Sequence, residues 1–376
     1  MSYPTKANPW EQRKLGEVFD ERNEKGEQGE LLSVTIGAGV VRTEDLERAV
    51  NTSDDRYNYK VVKKGDLIYN TMRMWQGACG SSLYTGIVSP AYTVLVPLAG
   101  NSSKFFAHYF KRKDLLYLFK RYSQGLTSDT WNLKFNVLKE IKICVPLIEE
   151  QYKIADFLEA YDSNLTLHQR KLEHLKLKKK SLLQKLFPRE GELYPELRFP
   201  GFTDPWEQRK LGEMGSTYSG MSGKTKEDFG HGEAVYIPYL NIFQNTLSNL
   251  SMTDKVEIDD TQNKVEYGDI LFTTSSETPE EVGLSSVWLG NQENLYLNSF
   301  CFGYRLKEII DLYFLGYALR SPYMRNQMKI LAQGISRYNI SKNKVMDLQI
   351  NIPCIKEQKY IGEIFLRIDS LITLHQ

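Results

Sequence analysis

The sequence lacks several features that mark common classes of protein. Its 376 residues contain no run of about eighteen apolar residues, so no segment is expected to span a membrane. The opening stretch MSYPTKANPW has no apolar signal-peptide core, which predicts a cytoplasmic protein. Cysteine and histidine are scarce, with four and five residues, and neither type clusters at the spacing of a metal site. Reduced, partly buried thiols are therefore expected at Cys79, Cys144, Cys301 and Cys354.

Motifs for cofactors and catalysis are incomplete. The stretch GKT (223–225) resembles the end of a P-loop, but the first glycine of that motif would fall on Tyr218. The stretches NPW (8–10) and DPW (204–206) hold only one of the two prolines in the Asn/Asp-Pro-Pro-aromatic motif of amino-methyltransferases. The stretch GAG (37–39) is a lone GxG. We therefore expect no catalytic, cofactor-binding or metal-binding residues in this chain.

Charge is balanced overall but not along the chain. The formal net charge is +1, yet the segment 170–189 holds eight Lys or Arg residues and one Glu. Attraction of phosphates depends on the nearby field and not on the total charge. The basic segment is therefore compatible with a nucleic-acid partner.

What the sequence does have is a long internal repeat. PWEQRKLGE stands at 9–17 and again at 205–213, and residues 132–169 align without gaps with 339–376. The interiors between these blocks hardly match. Mutational drift after a simple duplication would lower the sequence similarity evenly along the whole repeat. Shared ends around divergent interiors favour a common framework that holds two different recognition surfaces.

The divergent interiors are predicted to mix strands and helices. Short β-prone runs bounded by Gly, Pro or Asp predict strands within 66–72, 92–98, 141–147, 269–275, 285–290 and 347–353. Helical apolar spacing predicts one helix over 104–123 and another over 311–331. Each of these two helices leads into a Gln-Gly turn.

A heptad pattern follows each divergent interior. Apolar residues alternate in steps of four and three, which predicts a coiled-coil seam along a helix of about 58 Å. In the first copy the seam is interrupted only at His168 and Lys179, where packing or register is the expected role. In the first copy its residues are Ile154, Leu158, Tyr161, Leu165, Leu172, Leu175, Leu182 and Leu186, and in the second copy Ile361, Phe365, Ile368 and Ile372.

These patterns predict an α+β fold. Two mixed α/β domains related by a pseudo-twofold axis are joined by long antiparallel coiled-coil helices. The predicted segments are domain 1 at 1–148, a central spacer helix at 149–187, a linker at 188–204, domain 2 at 205–355 and a distal spacer helix at 356–376. The distal helix stops where the first copy continues, so a truncated second helix is expected.

Polar residues suited to DNA contact gather in equivalent segments of the two copies. Arg, Asn, Gln, Ser and Thr pair with base edges, and Lys, Ser and Thr also serve phosphates. Surface loops are often rich in such residues, but here equivalent segments differ in content. The candidates in the first copy are Asn70, Arg73, Trp75, Gln76, Arg121, Gln124, Thr127, Ser128 and Thr130. In the second copy they are Thr273, Thr274, Ser275, Gln333, Ser336, Arg337, Tyr338, Asn339 and Lys342.

At this point the chain resembles the specificity (S) subunit of type I restriction-modification enzymes. The resemblance spans essentially all of the chain. It rests on LRFPGFTDPWEQRKLGE (197–213), the twin PWEQRKLGE starts, the Pro-x-x-x-Glu-Gln entries at Pro146–Gln151 and Pro353–Gln358, and the DSxxTLHQ helices. It implies that each divergent interior is a target recognition domain that reads one half of a split, asymmetric site in double-stranded DNA.

The resemblance also implies partners and cofactors. The helices would set the gap between the half-sites and dock two methyltransferase (M) subunits, which carry S-adenosylmethionine. Motor-nuclease (R) subunits would join for cleavage, and ATP and Mg are expected on partner subunits only. The chain itself would be a non-catalytic recognition subunit without a cofactor.

The chain departs from the family in its short second helix. An uncovered seam at Ile154, Leu158 and Tyr161 would favour self-association or weaken methyltransferase docking. Two other hypotheses stay open. One is a free-standing methyltransferase, against which the missing double-proline motif counts. The other is a coiled-coil adaptor that never touches DNA, for which two divergent domains would be unnecessary.

Overall fold

The chain folds into two α+β units that share one long helix. The computed structural model describes residues 10–46, 56–128 and 130–376, so Pro9 of the first repeated stretch lies outside the described residues. Contacts divide the chain into Met1–Thr166 and Leu167–Gln376. No helix in the described ranges is long and apolar enough to cross a membrane.

The first unit is built from short strands and short helices. Its strands are β1 (Glu11–Lys14), β2 (Phe19–Glu21), β3 (Leu32–Thr35), β4 (Gly39–Arg42), β5 (Lys60–Val62), β6 (Leu67–Asn70), β7 (Cys79–Ser81), β8 (Gly86–Val88), β9 (Tyr92–Pro97) and β10 (Lys142–Val145). Its helices are α1 (Ser103–Tyr109), α2 (Lys113–Tyr122), α3 (Phe135–Leu138) and the beginning of α4 (Ile148–Lys185), with 3-10 turns at Leu15–Glu17, Thr43–Asp45 and Met74–Gln76. The central antiparallel sheet has the order β2-β9-β6-β7, and β1-β10, β3-β4 and β5-β8 form two-stranded sheets.

The second unit repeats the central part of this plan with differently arranged outer sheets. Its strands are β11 (Glu207–Lys210), β12 (Gly215–Ser219), β13 (Phe229–Ile237), β14 (Asp254–Val256), β15 (Ile270–Thr273), β16 (Ser275–Ser276), β17 (Ser285–Val287), β18 (Leu295–Leu297), β19 (Cys301–Leu306), β20 (Tyr338–Asn339) and β21 (Gln349–Ile352). Its helices are α5 (Leu211–Met214), α6 (Tyr239–Gln244), α7 (Leu312–Ala318), α8 (Pro322–Leu331), α9 (Lys342–Met346) and α10 (Ile355–Leu374), with a 3-10 turn at Lys226–Asp228. The central sheet, β12-β19-β15-β17, has the same pattern of connections as that of the first unit; β14-β13-β18 forms a three-stranded sheet, and β11-β21 and β16-β20 form two-stranded sheets.

The repeated stretch EQRKLGE forms the strand that closes each unit. β1 pairs antiparallel with β10, and β11 pairs with β21 in the equivalent register. A fully buried leucine follows each strand, Leu15 in the first unit and Leu211 in the second. The repeat thus preserves the contact between the start of each domain and the strand that leads into its long helix.

Each unit has its own apolar core between its central sheet and its short helices. In the first unit the rings of Phe19 and Phe106 meet at 4.9 Å between centroids. In the second unit Phe272 and Phe302 stack at 5.0 Å on the neighbouring strands β15 and β19. Large rings buried in this way dominate the apolar area that each domain removes from water.

Each predicted β-prone run contains a strand, and one contains two. Residues 269–275 hold β15 and the first residue of β16. Between these strands, at Thr274, the chain leaves the central sheet and pairs with β20. Residues 269–275 therefore contribute to two sheets, which the alternation of apolar and polar residues alone does not indicate.

The helices predicted over 104–123 and 311–331 are wrong at one point each, because both are two helices in the structure. Arg112 has an extended backbone (φ −65°, ψ 141°) and separates α1 from α2. Ser321 caps α8 by accepting a backbone hydrogen bond, and Pro322 at the first helical position disfavours helical backbone before it. Apolar spacing continues across both bends, so the period alone does not reveal them.

Each end of α4 packs against the unit next to it. In the first unit Ala155 is fully buried, and Ile154 packs against that unit's core. In the second unit Leu182 and Leu183 of α4 pack against the core, to which Leu186 and Phe187 directly after the helix belong. The contacts thus assign the helix predicted over 149–187 partly to each domain, whereas the sequence set it apart as a spacer.

Within the second unit, the later part of α4 lies antiparallel to α10. His168 faces His375 with their Nδ1 atoms 2.8 Å apart, so one ring donates and the other accepts. Lys179 pairs with Asp369 at 2.6 Å. Both interruptions of the heptad pattern are therefore polar contacts across the helix pair.

The seam is buried only along the part of α4 that belongs to the second unit. The buried seam residues are Leu175, Leu186, Ile361, Phe365 and Ile368. Leu158, Leu172, Leu182 and Ile372 are half-buried. Tyr161 and Leu165 are 60% and 48% exposed. On the described chain, burial of the apolar seam therefore begins near Leu172, one turn beyond the polar contact between His168 and His375.

Candidate nucleic-acid interface

An equivalent loop follows α2 in the first unit and α8 in the second. Gln124 and Asn132 exchange two backbone hydrogen bonds, at 2.9 and 2.8 Å. Gln333 and Asn339 exchange the same two bonds at 2.9 and 2.8 Å. We call these segments, 124–132 and 333–339, the twin loops; Asp129 in the first lies outside the described residues.

A glycine with positive φ opens each twin loop. The φ angle is 153° at Gly125 and 142° at Gly334. A Cβ at these positions would lie 2.6 Å and 2.0 Å from a backbone carbonyl oxygen across the loop, so only glycine fits. The residues that follow, Leu126 and Ile335, are 101% and 95% exposed. Each twin loop thus presents a fully exposed aliphatic side chain directly after its glycine, and we call these two positions the apices of the twin loops.

Each twin loop is held against the strand end that carries the other candidates. The N–H of Leu133 donates to the carbonyl of Thr71 at 2.9 Å. The N–H of Ile340 donates to the carbonyl of Thr274 at 2.9 Å. The structure therefore brings together, within each unit, two groups of candidates that are distant in sequence.

In the first unit most candidates lie on the surface. Arg73, Arg121, Gln124, Thr127, Ser128 and Thr130 are exposed, and Asn70, Trp75 and Gln76 are half-buried. The ring of Trp75 meets Trp131 edge-on at 5.3 Å, and the Nζ of Lys120 lies 5.2 Å from the centroid of Trp131. Lys120 and Trp131 were not among the candidates. Their contact joins α2 and the first twin loop to the turn that carries Arg73.

In the second unit the candidates divide into exposed and buried side chains. Gln333, Ser336, Arg337 and Asn339 are exposed, and Thr274, Tyr338 and Lys342 are half-buried. Thr273 and Ser275 are buried, so neither side chain faces bulk solvent in this conformation. Lys342 donates to Ser219 Oγ at 2.9 Å. The guanidinium of Arg337 lies 5.3 Å from the ring centroid of Phe300.

An open cavity of about 490 Å³ lies beside the second twin loop. Tyr239 and Phe243 stack along it at 5.7 Å, with 24° between their planes. Burial raises the pKa of the Tyr239 phenol, which stays protonated and donates to the carbonyl of Ser275 at 2.7 Å. These two aromatic residues were missed because α6 lies in the part of the repeat that does not align. Their i, i+4 spacing was the signal available.

The cavities beside the two twin loops differ in charge. The one in the first unit measures about 330 Å³, and its charged side chains are Glu21, Lys60 and Lys134. The one in the second unit is lined by the acidic side chains of Glu277 and Glu281 together with one arginine. Equivalent loops therefore stand beside surfaces of different electrostatic character. Among the described residues no group of three potential ligands is placed to hold a metal ion.

The repeated framework with divergent loops defines a class of protein in which two related domains carry two different recognition surfaces. A sequence model of the family described as "Type I restriction modification DNA specificity domain" matches residues 7–177 and again 203–376. The chain therefore belongs to this family and carries two copies of its domain. Members of the family supply the DNA sequence specificity of restriction-modification systems.

The sequence of a curated relative agrees with this assignment. The type I restriction enzyme MjaVIII specificity subunit of Methanocaldococcus jannaschii is 24% identical over 337 residues, which cover 84% of this chain and 74% of the relative.

Two crystal structures have a similar fold. The HsdS subunit from Thermoanaerobacter tengcongensis is 18% identical, with a TM-score of 0.50 over 99% of this chain and 92% of that one. The type I restriction-modification S subunit from M. genitalium is 15% identical, with a TM-score of 0.55 over 100% and 93%. At these identities the likeness concerns the fold.

Proposed function

We propose that the two domains read the two halves of a bipartite, asymmetric DNA site with a fixed gap. One observation carries the proposal. The twin loops share a glycine and the same pair of backbone hydrogen bonds, while the side chains and cavities around them differ. A shared framework positions each domain on the duplex in the same way, and different side chains select different bases.

In this proposal the helix α4 fixes the number of base pairs between the two half-sites. A continuous helix of 38 residues links the two domains in the chain. A helix has a fixed rise per residue, so it sets a spacing as a dimer interface does in other two-headed readers. Addition or removal of helical turns would then alter the number of unspecified base pairs.

The chain acts as a non-catalytic subunit. Its helices dock two methyltransferase subunits, and motor-nuclease subunits join the assembly for cleavage. S-adenosylmethionine, ATP and Mg belong to those partners. The incomplete cofactor motifs of this sequence support that division of labour.

A methylome tests the proposal. The chain would be expressed with its methyltransferase subunit in a host without DNA methylation, and the methylated bases would be mapped. We expect a two-part motif with a constant gap. A palindromic motif would show instead that one domain acts twice through a dimer. Absence of any methylated motif would contradict the proposal.

A coiled-coil adaptor that never touches DNA is the second candidate, favoured by the exposed helical side chains of Tyr161 and Leu165. Salt-dependent binding to duplex DNA separates the two. A reader loses affinity steeply as salt rises, because each phosphate contact releases a counterion. An adaptor would show no binding at any salt concentration.

A further inference from the structure

The cavity beside the second twin loop has the form of a site for one flat ring. The rings of Tyr239 and Phe243 supply an apolar wall along it. Ser336 and Arg337 of the twin loop reach the same cavity. The edge of a DNA base is a flat group with a polar rim, and a loop that reads DNA would contact such an edge there. The assignment of a DNA base to this cavity rests on the proposed function and specifies one contact within it.

One hydroxyl group of the cavity is buried and unused. Ser275 is 3% exposed, and its Oγ has no hydrogen-bond partner among the described residues. The phenol of Tyr239 is bonded to the carbonyl of the same serine, so it does not serve the hydroxyl. Buried polar atoms normally have a partner, and an orphan that lines a cavity points to a ligand.

The charge of the cavity decides which ligand fits. The carboxylates of Glu277 and Glu281 both line it, against the single guanidinium of Arg337. A phosphate would be repelled by the two carboxylates. A carboxylate only accepts hydrogen bonds, so it selects a donor, and on base edges the donors in the major groove are the amino groups of cytosine and adenine.

Glu281 is the carboxylate that is fixed in place. Its Oε2 accepts from Ser276 Oγ at 3.2 Å and from Thr278 Oγ1 at 2.9 Å. Its Oε1 takes no hydrogen bond from the part of the chain that the structure describes. One oxygen is therefore oriented and the other is available to a ligand.

Two half-buried arginines hold the walls of the cavity. Arg325 donates to the carbonyls of Glu280, Val282 and Gly283, at 2.8, 2.5 and 2.9 Å. Arg320 donates to carbonyls at the end of α6, among them Ile242 at 2.7 Å. The guanidinium groups thus fix the segment that carries Glu281 and the helix that carries the two rings.

We infer that this cavity takes the edge of one base in the second half-site, and that Glu281 accepts a hydrogen bond from the exocyclic amino group of cytosine or adenine. A keto group at the same place, guanine O6 or thymine O4, would set one acceptor against another. Glu281 is then a specificity-determining residue of the second domain.

The methylome of three chains tests this: wild type, Glu281→Gln, and the matched control Glu280→Gln, whose side chain pairs with Lys329 and does not line the cavity. A glutamine both donates and accepts. In Glu281→Gln we expect one base pair of the second half-site to admit sequences that place a keto group there, with about a tenfold rise in their methylated fraction. The first half-site and the control should be unchanged.

The outcomes separate this inference from the proposed function. A wild-type chain that directs no methylation overturns both. A wild-type motif that Glu281→Gln leaves identical at every position overturns the inference alone. Thermal unfolding of each variant shows whether it folds, and Glu281→Asp, which keeps the charge but withdraws the carboxylate by one methylene, replaces Glu281→Gln if that variant does not. Relaxation in the first half-site would equally contradict the assignment.

Discussion

Gln151 and Gln358, 207 positions apart, make the same two hydrogen bonds. The Nε2 of Gln151 donates to the carbonyl of Pro146 at 2.9 Å, and its Oε1 accepts the N–H of Ser102 at 2.9 Å. Gln358 repeats this with Pro353 at 2.8 Å and the N–H of Asp311 at 2.9 Å. Each glutamine ties the start of a long helix to the residues that lead into a short one.

We expect replacement of either glutamine to destabilise its own domain. Both side chains are buried, at 1% and 4% exposure. Gln151→Ala leaves a buried N–H without a partner, which costs about 1–3 kcal/mol in the free energy of unfolding. Chemical denaturation measures the change, and Gln12→Ala, at an exposed strand position, is the control expected to stay within about 0.5 kcal/mol. Equal effects at Gln12 and Gln151 would contradict the prediction.

The acid that precedes this glutamine has different roles in the two copies. Glu357 is fully buried and makes a bidentate pair with Arg198, with both distances 2.8 Å. Glu150 is exposed and accepts one bond from Trp10 Nε1 at 3.2 Å. We expect Glu357→Ala to lower stability by roughly 3–5 kcal/mol, because it leaves a partly buried guanidinium unpaired. Glu150→Ala should change stability by less than about 1 kcal/mol, and comparable losses for the two would be inconsistent with this difference.

The helix seam should be sensitive only where the structure buries it. Phe365 is fully buried and stacks on Tyr317 at 4.8 Å and on Phe187 at 6.0 Å. Phe365→Ala is expected to cost about 3–5 kcal/mol in unfolding free energy. Leu165→Ala, in the exposed part of α4, should be close to neutral in the isolated chain. A large loss at Leu165 would show that this face is covered in solution.

Two of the four thiols should resist modification. Cys79 and Cys301 are buried, whereas Cys144 and Cys354 are exposed. Burial raises the pKa of Cys79 to about 12, and it also raises the pKa of Cys301. Since the thiolate is the reactive form, a thiol reagent at pH 8 should label two cysteines in the native chain and four after denaturation. Labelling of all four at one rate in native protein would refute this.

The same shift predicts a pH dependence of stability. An unfolded thiol ionises near pH 8.5, but the folded Cys79 keeps its proton to about pH 12. The unfolded state therefore binds fewer protons between these values, and the stability contributed below pH 8.5 is lost as the pH rises. Between pH 8.5 and 10, the free energy of unfolding should fall less in Cys79→Ala than in the wild-type chain. An equally steep fall in both proteins would count against it.

The apices of the twin loops should contribute to DNA affinity. Apolar side chains pack on thymine methyl groups or wedge between base steps. Leu126→Ser or Ile335→Ser is expected to weaken binding to the cognate duplex roughly tenfold, with stability unchanged within about 0.5 kcal/mol.

Two further features identify an apolar contact at these apices. The salt dependence of binding should keep its slope, because no charge is removed. Leu83→Ser removes another exposed leucine outside the twin loops and serves as the control. Full affinity in both apex variants would show that the apices do not touch DNA.

The sequence by itself determined the two-domain plan and the family. Repeats, heptad spacing and β-prone runs are periodic or local, so they survive as patterns in the chain. For this reason the strands within the six β-prone runs, the long helix and the shared Gln-Gly turn could all be anticipated from residues near one another.

Only the tertiary structure decided which of those residues reach the surface or line a cavity. Thr273 matches the composition of a reading loop, but the sheet buries it, whereas the equally buried Ser275 lines a cavity. Tyr239 stands 98 positions before Arg337, and folding places both at one cavity. Burial and the meeting of distant residues depend on the packing of the whole domain. A linear pattern does not contain them.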